Sequence, residues 1–496
     1  MGRQSGETKS RGGGETGSRG GRFGRRRAGA FWERMVNDWS PARPRGSPAP
    51  GRGAPRPVPA GSARSRQTTR GPPRHADGPR RTGRATRHGA EHVRASDPEI
   101  FSEENFFPAR SRAARAWMCR FRTCEIGASV AFSGPTSAET AMGFEIRSTI
   151  EQLSSFQVRK GQSSVSGLSS GAFMTVQLHL AHSSRFAGAG IIAGGPFRCA
   201  ESFRAAALIA EDAYEQGALY ISMNPLIPQM APSAEHLAEI ARRTAEAGEI
   251  DPVENLADDR LYIFTGSADR VVYPDVVART RRFYELLGVA PENILYRDTV
   301  PAGHSIITDN PEDSPLSTNQ PPYINNGGFM QSHEILRHIY PGLNAPAERL
   351  NGRLIRFDQT EFFAGEPRSS MSPFGYAYVP AEVLEGAEAR IHVALHGCKQ
   401  GYAYINYVNG QPDVANQPPY GNRYVTTTGY NHIAESNNII VLYPQAQGSD
   451  GGALQNPDGC WDWWGYTSRN TDKPDYYSKN AIQVGAIQAM LTRLGG

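Results

Sequence analysis

The stretch Gly167-Leu168-Ser169-Ser170-Gly171 puts a serine at the centre of a G-x-S-x-G pattern. A serine hydroxyl becomes a nucleophile only when a base takes its proton and an acid holds that base, so the pattern needs a histidine and a carboxylate within reach. Asp269, in IFTGSADRVV, and His304, in TVPAGHSIIT, follow it by 100 and then 35 positions. In these roles Ser169 would attack a carbonyl carbon, and His304 would take its proton and return it to the leaving alcohol. Asp269 would orient the imidazole and stabilise its charged form. Each residue also has a plainer reading, as part of a Gly/Ser-rich loop, as a loop-capping carboxylate and as a helix-start histidine.

Three residues so far apart meet only if the elements beneath them converge. From about Glu145 onward, short apolar runs alternate with helical patterns, which predicts a mostly parallel sheet with helices on its faces. The runs predict strands at 163–166, 190–193, 261–264, 293–296, 390–395 and 438–443. Ala172, Phe173, Val176 and Leu180 fall on one stripe, predicting an amphipathic helix directly after the first strand. Ser169 then sits on a sharp strand-to-helix turn, with its hydroxyl exposed above the sheet. A further helix is predicted from Pro274, suited to the first helical position, through Val277, Phe283 and Leu287 to a stop at Gly288. Asp269 and His304 each follow a predicted strand, and parallel strands bring their carboxyl ends to one edge. The chain order Ser, Asp, His is that of α/β-hydrolases.

Ester hydrolysis also needs two donors where the carbonyl oxygen becomes an oxyanion; losing one costs about 2.7–4 kcal/mol. The N–H of Ser170 supplies the first. The second normally comes from an H-G loop preceding the nucleophile, and none stands upstream of Ser169. Instead RIHVALHGCKQG places His396-Gly397-Cys398 after an apolar run, with Cys398 229 residues past the serine. The reading that reconciles this is a circularly permuted α/β-hydrolase whose N-terminal strands have moved to the C-terminus, with Cys398 acting through its N–H. The rival is a Cys398–His396 thiolate pair or metal site, for which no third ligand has suitable spacing.

The charge is divided along the chain. Residues 1–140 carry 27 Lys+Arg against 12 Asp+Glu, whereas the remainder carries 26 against 37. With 18 Gly and 10 Pro in residues 1–90, the basic segment cannot bury enough apolar surface to offset its conformational entropy and is read as a disordered tail. Its RGGGETGSRGGRFGRRR run resembles RNA-binding segments, while translation upstream of a true start at Met118 or Met142 would give the same composition. GGGETG satisfies G-x-G-x-x-G by composition only, since no strand precedes it. Residues 145–496 form the expected catalytic domain. No stretch approaches the roughly 20 apolar residues of a membrane span, and the one faint signal-peptide pattern, around residues 126–132, is short and diluted by Gly127 and Ser129.

Taken together, SSVSGLSSGAFM, IFTGSADRVV, PAGHS, ALHGCKQG and NPDGCWDWWGY resemble the catalytic domain of extracellular poly(3-hydroxybutyrate) depolymerases of permuted topology. The resemblance runs from about Ser163 to Leu494. It implies a serine esterase acting on short-chain polyhydroxyalkanoate without metal or organic cofactor, located outside the cell or in the periplasm. It also implies Ser169, Asp269 and His304 as the triad, Ser170 and Cys398 as the oxyanion hole, and Trp461, Trp463 and Trp464 as an aromatic wall gripping the polyester. From the residues alone, the tryptophans could equally be core. The resemblance further implies a Cys398–Cys460 disulfide. It leaves Cys199 unpaired, because Gly327 stands about where the family carries a cysteine. Such enzymes often carry a linker and a polymer-binding domain after the catalytic domain; with the sequence running to Gly496 directly after its last predicted helix, binding to solid polymer is not what this reading expects. The alternatives are a general carboxylesterase or another polymer hydrolase with the same triad and, from another class, an RNA-binding protein acting through its Arg/Gly tail; nucleic acid is not the expected partner.

Overall fold

The computed structural model describes residues 149–201, 222–225, 233–408, 411–449, 456–470 and 473–496. The readings made for the basic N-terminal segment lie outside them. The described strands are β1 (Ser163–Leu168), β2 (Phe186–Ile192), β3 (Arg260–Phe264), β4 (Ile294–Arg297), the short β5 (Ile306–Thr308), β6 (Ser314–Pro315) and β7 (Ile324–Asn326), then β8 (Arg353–Asp358), β9 (Phe374–Val379), β10 (Arg390–Leu395), the short β11 (Tyr407–Val408) and β12 (Gln411–Pro412), and β13 (Ile439–Tyr443). The longer helices are α1 (Ser170–Ala181), α2 (Ala234–Glu246), α3 (Pro274–Leu286), α4 (Gln331–Ile339), α5 (Tyr430–Glu435) and α6 (Ile482–Leu494).

Eight strands form one sheet in the order β4-β3-β2-β1-β10-β13-β9-β8. Pairing is parallel from β4 through β13, and β9 and β8 close that edge antiparallel. The central strands are continuous buried runs such as IIVLY in β13, the texture of a sheet covered on both faces. Strand β1 lies between β2 and β10, pairing Ser164 with His392 and Gly167 with Leu395.

The predicted strands at 163–166, 190–193, 261–264, 293–296, 390–395 and 438–443 correspond to β1, β2, β3, β4, β10 and β13. Pro274 opens α3 and Gly288, at φ +100°, follows its end, as the sequence indicates. Two differences have physical causes. Strands β8 and β9 pair antiparallel with each other, outside the strand–helix–strand rhythm that marks the others. Helix α1 is buried over all twelve residues instead of showing a wet face, because a second layer covers it: Phe173 stacks on Trp463 at 3.9 Å, and Gln177 Nε2 donates to the carbonyl of Asp462 at 2.9 Å.

One polar cluster crosses the centre of the sheet. Ser164 and Ser166, two apart on β1 and so on one face, place their Oγ atoms 2.7 Å from Nδ1 and 2.8 Å from Nε2 of His392 on β10. Ser166 Oγ also lies 2.6 Å from the Tyr430 hydroxyl. Hydroxyls can donate or accept, so both nitrogens of a neutral imidazole are satisfied. Burial lowers the pKa of His392 to about 3 and that of His396 to about 4. Because the unfolded chain binds protons near pH 6.5 while the folded one does not, this stability is complete above that value and is lost as pH falls toward 4 and then 3. The melting temperature should therefore drop between about pH 6.5 and 4. His392→Gln should flatten that slope; an unchanged slope in a pH series of thermal melts would count against this account.

Candidate active site

Ser169 holds φ +57° and ψ −124° between the end of β1 and the start of α1, a conformation non-glycine residues rarely adopt. Surrounding bonds fix it. Its N–H donates to the Ile192 carbonyl at 3.0 Å, and its own carbonyl accepts from Ala172 at 2.8 Å and Phe173 at 3.0 Å, which starts the helix. Glycines flank it because the turn folds tightly on itself and is pressed against the end of β10. A Cβ on Gly171 would lie 2.5 Å from the carbonyl oxygens of both Leu395 and His396, and one on Gly167 would lie 2.4 Å from the Gly171 backbone. Ser170 is the first helical residue, so its N–H has no intrahelical acceptor.

The loops leaving β3 and β4 are laced together. Ser267 N–H donates to the Val300 carbonyl at 2.8 Å and Ala268 N–H to that of Ala302 at 3.0 Å. At the end of this ladder Asp269 Oδ2 lies 2.8 Å from His304 Nδ1, with both side chains buried. The other oxygen, Oδ1, accepts the N–H groups of Val271 at 2.8 Å and Val272 at 3.0 Å. One carboxylate oxygen thus anchors the side chain while the other receives the imidazole. With Nδ1 donating to Asp269, Nε2 is left as the acceptor. Tyr323 stands edge-on to the His304 ring at 5.4 Å.

The His396–Gln400 loop leaves β10 beside the serine, and a Cβ on Gly397 would lie 3.3 Å from that of Ser169. Gln400, which the sequence reading missed, ties this loop to the histidine side. Its Oε1 accepts the Gly397 N–H at 2.7 Å, and its Nε2 donates to the carbonyls of Pro322 at 2.8 Å and Tyr323 at 3.1 Å. Cys398 is bonded to Cys460 in a disulfide. His396 Nε2 accepts the Ala446 N–H at 3.1 Å, leaving Nδ1 to donate to the Gly397 carbonyl at 2.8 Å. Thiol and imidazole are both committed, so the thiolate or metal reading of this pair is overturned.

The tryptophans separate. Trp461 is fully buried with its ring against His396, and Trp463 is 3% exposed beneath Phe173. Core packing, not a cleft wall, is where the structure puts both. Trp464 alone is partly exposed, edge-on to Trp463 and beside Tyr466. The segment is built around Asp462, a residue the sequence reading passed over. Its carboxylate accepts from the N–H groups of Trp464, Gly465, Tyr466 and Thr467 and from the Thr467 hydroxyl. Cys199 is free and buried, and a Cβ on Gly327 would meet Ile307 and Leu316 rather than that thiol.

The approach at Gly171 makes a direct prediction. Gly171→Ala must push the turn off β10 and should destabilise by about 1–3 kcal/mol or more, with activity falling alongside. A thermal melt matching the wild type would contradict the packing described.

No family model matches the chain. It is 36% identical over 378 residues to the poly(3-hydroxybutyrate) depolymerase of Delftia acidovorans, covering 75% of this chain and 66% of that protein, just under two thirds of that relative's length. To the polyhydroxybutyrate depolymerase of Talaromyces funiculosus it is 33% identical over 348 residues, covering 68% of this chain and 88% of the relative. The crystal structure of the PHB depolymerase from Penicillium funiculosum aligns at TM-score 0.57 and 31% identity, over 69% of this chain and 98% of that one. A serine-to-alanine variant of a PHB depolymerase complexed with an R3HB trimer aligns with the same values. On the strength of these similarities over most of its length, the chain belongs to the poly(3-hydroxybutyrate) depolymerase family of serine hydrolases.

Proposed function

We propose that this chain is a serine esterase that cleaves poly(3-hydroxybutyrate) or its oligomers through an acyl-enzyme, with Ser169 as nucleophile, His304 as base and Asp269 as its orienting acid. The observation that carries this reading is the buried 2.8 Å Asp269–His304 pair, held beyond β3 and β4 on the edge where β1 delivers Ser169. His304 Nε2 takes the Ser169 proton as Oγ attacks the ester carbonyl. The N–H groups of Ser170 and Cys398 receive the oxyanion, and the imidazolium returns its proton to the departing hydroxyl of the chain. Water, activated by the same histidine, then releases the acyl group as a free acid. Trp464, the partly exposed member of its cluster, is the aromatic surface available to an apolar polyester chain.

The strand order supports the permuted α/β-hydrolase reading. Strands β8, β9, β13 and β10 lie on one side of the nucleophile strand in space but follow it in sequence. The proposed catalytic domain is residues 145–496, acting on a polyester outside the cell.

Ser169→Ala in the full chain should abolish release of hydroxybutyrate from oligomers while leaving the thermal melt intact, and Asp269→Asn should lower kcat by on the order of 10⁴-fold. Activity retained in Ser169→Ala would refute the assignment. Hydrolysis of p-nitrophenyl esters but neither oligomers nor granules would move the substrate to that of a general carboxylesterase. A fragment of residues 142–496 should hydrolyse oligomers as the full chain does; loss of activity in a fragment that still folds would refute the domain proposal.

A further inference from the structure

The backbone ladder joining the two catalytic loops stops short of the residues it serves. Its bonds end at Ala268 and Ala302, one residue before the carboxylate and two before the imidazole. A single side chain from a third loop takes over there. Asn319 Oδ1 accepts the N–H of His304 at 2.9 Å and the N–H of Arg270 at 3.0 Å. Its Nδ2 donates to the carbonyl of Ala268 at 3.1 Å and to that of Ser317 at 3.1 Å. Both lone pairs and both hydrogens of the amide are thus used, and its partners lie immediately before Asp269, immediately after it, and on His304 itself. Backbone N–H groups on one side and carbonyls on the other fix which amide atom faces which way.

The loop that carries Asn319 is itself clamped to the site. Gly303 N–H donates to the Leu316 carbonyl at 2.8 Å, and a Cβ on Gly303 would come within 2.2 Å of the Thr318 oxygen. At its other end the Pro322 and Tyr323 carbonyls take the Gln400 amide, and the Tyr323 ring meets His304. We infer that Asn319 is a positioning residue for the reaction: its amide sets the spacing between the aspartate and histidine loops, and so the Asp269–His304 hydrogen bond. The inference rests on the triad proposed above. It predicts that only an amide fills the role. Asparagine alone offers two acceptor sites and two donors at this reach, whereas an aspartate would keep the bonds to Arg270 and His304 but set an oxygen against the carbonyls of Ala268 and Ser317.

The test is steady-state hydrolysis of hydroxybutyrate oligomers by full-length Asn319→Ala, Asn319→Asp, Asp269→Asn and the Asn319→Ala/Asp269→Asn double variant, with thermal melts of each. A misplacement of the order of 1 Å at a catalytic group lowers rate by up to about 100-fold. Asn319→Ala should therefore reduce kcat by about 10- to 100-fold with KM within about twofold of wild type, and Asn319→Asp should fall between it and wild type. Because Asn319 acts through the pair, adding Asn319→Ala to Asp269→Asn should cost far less than in the wild-type background. Wild-type kcat in Asn319→Ala, a loss that appears in KM, or full additivity with Asp269→Asn would each overturn the inference. Should Asn319→Ala fail to fold, Asn319→Asp carries the same comparison. Full activity in Asp269→Asn would instead refute the triad, a result distinguishable from failure of the Asn319 inference alone.

Discussion

Two backbone segments 224 residues apart in sequence touch at van der Waals limits where Gly171, at the start of α1, meets the carbonyl of Leu395, at the end of β10. This approach bends the chain sharply enough to leave Ser169 at positive φ. It sets the His396–Gln400 loop beside the serine and presses α1 into a layer that buries all twelve of its residues, so its polar side chains must find partners inside. The strain at Ser169 is tolerated because its neighbours over-determine it: one bond to Ile192, two into the helix, and a glycine on each side. Strand β1 carries this turn, and its own place in the sheet is fixed by the Ser164–His392–Ser166 cluster, which pins β1 to β10 by side chains as well as by ladder bonds.

From that edge the site extends through hydrogen bonds rather than apolar packing. Gln400 links the loop after β10 to the Pro322–Tyr323 backbone, Tyr323 meets His304, and Asn319 ties His304 to the residues flanking Asp269. Two side-chain amides therefore bridge four loops, adding to the backbone bonds that already lace the Asp269, His304 and Asn319 loops together. Amides suit this task because each offers donors and acceptors at one fixed distance without charge, so no desolvated ion is added next to the Asp269–His304 pair.

The Ser169 turn and the Asp269–His304 pair, to which the proposal gives the roles of nucleophile, acid and base, were legible in the sequence because each lies in a loop after a strand, and such loops announce themselves by a switch from apolar residues to Gly, Ser and Asp. Residues whose value lies in partners from other loops were not legible. Asn319, within STNQPP, looks like any turn residue, Gln400 like a polar loop residue, and Asp462 is hidden between two tryptophans. The tryptophans illustrate the same limit from the other side: an apolar ring reads alike in a core and in a cleft, and only the covering of α1 by Trp463 and the contact of Trp461 with His396 distinguish them. Helix α1 looked amphipathic for the same reason, since Gln177 and His179 appear solvent-facing until their buried partners, Asp462 on one side and Tyr284 with Asp259 on the other, are known.

The central claim is that Ser169 forms a covalent acyl intermediate with a hydroxybutyrate unit. Acid-quenching the full-length protein during turnover of hydroxybutyrate oligomers and mapping its peptides by mass spectrometry tests this most directly. The account predicts a hydroxybutyryl adduct on the peptide containing Ser169 that is absent from Ser169→Ala. Turnover with no adduct at Ser169, or with an adduct on a different residue, would contradict it.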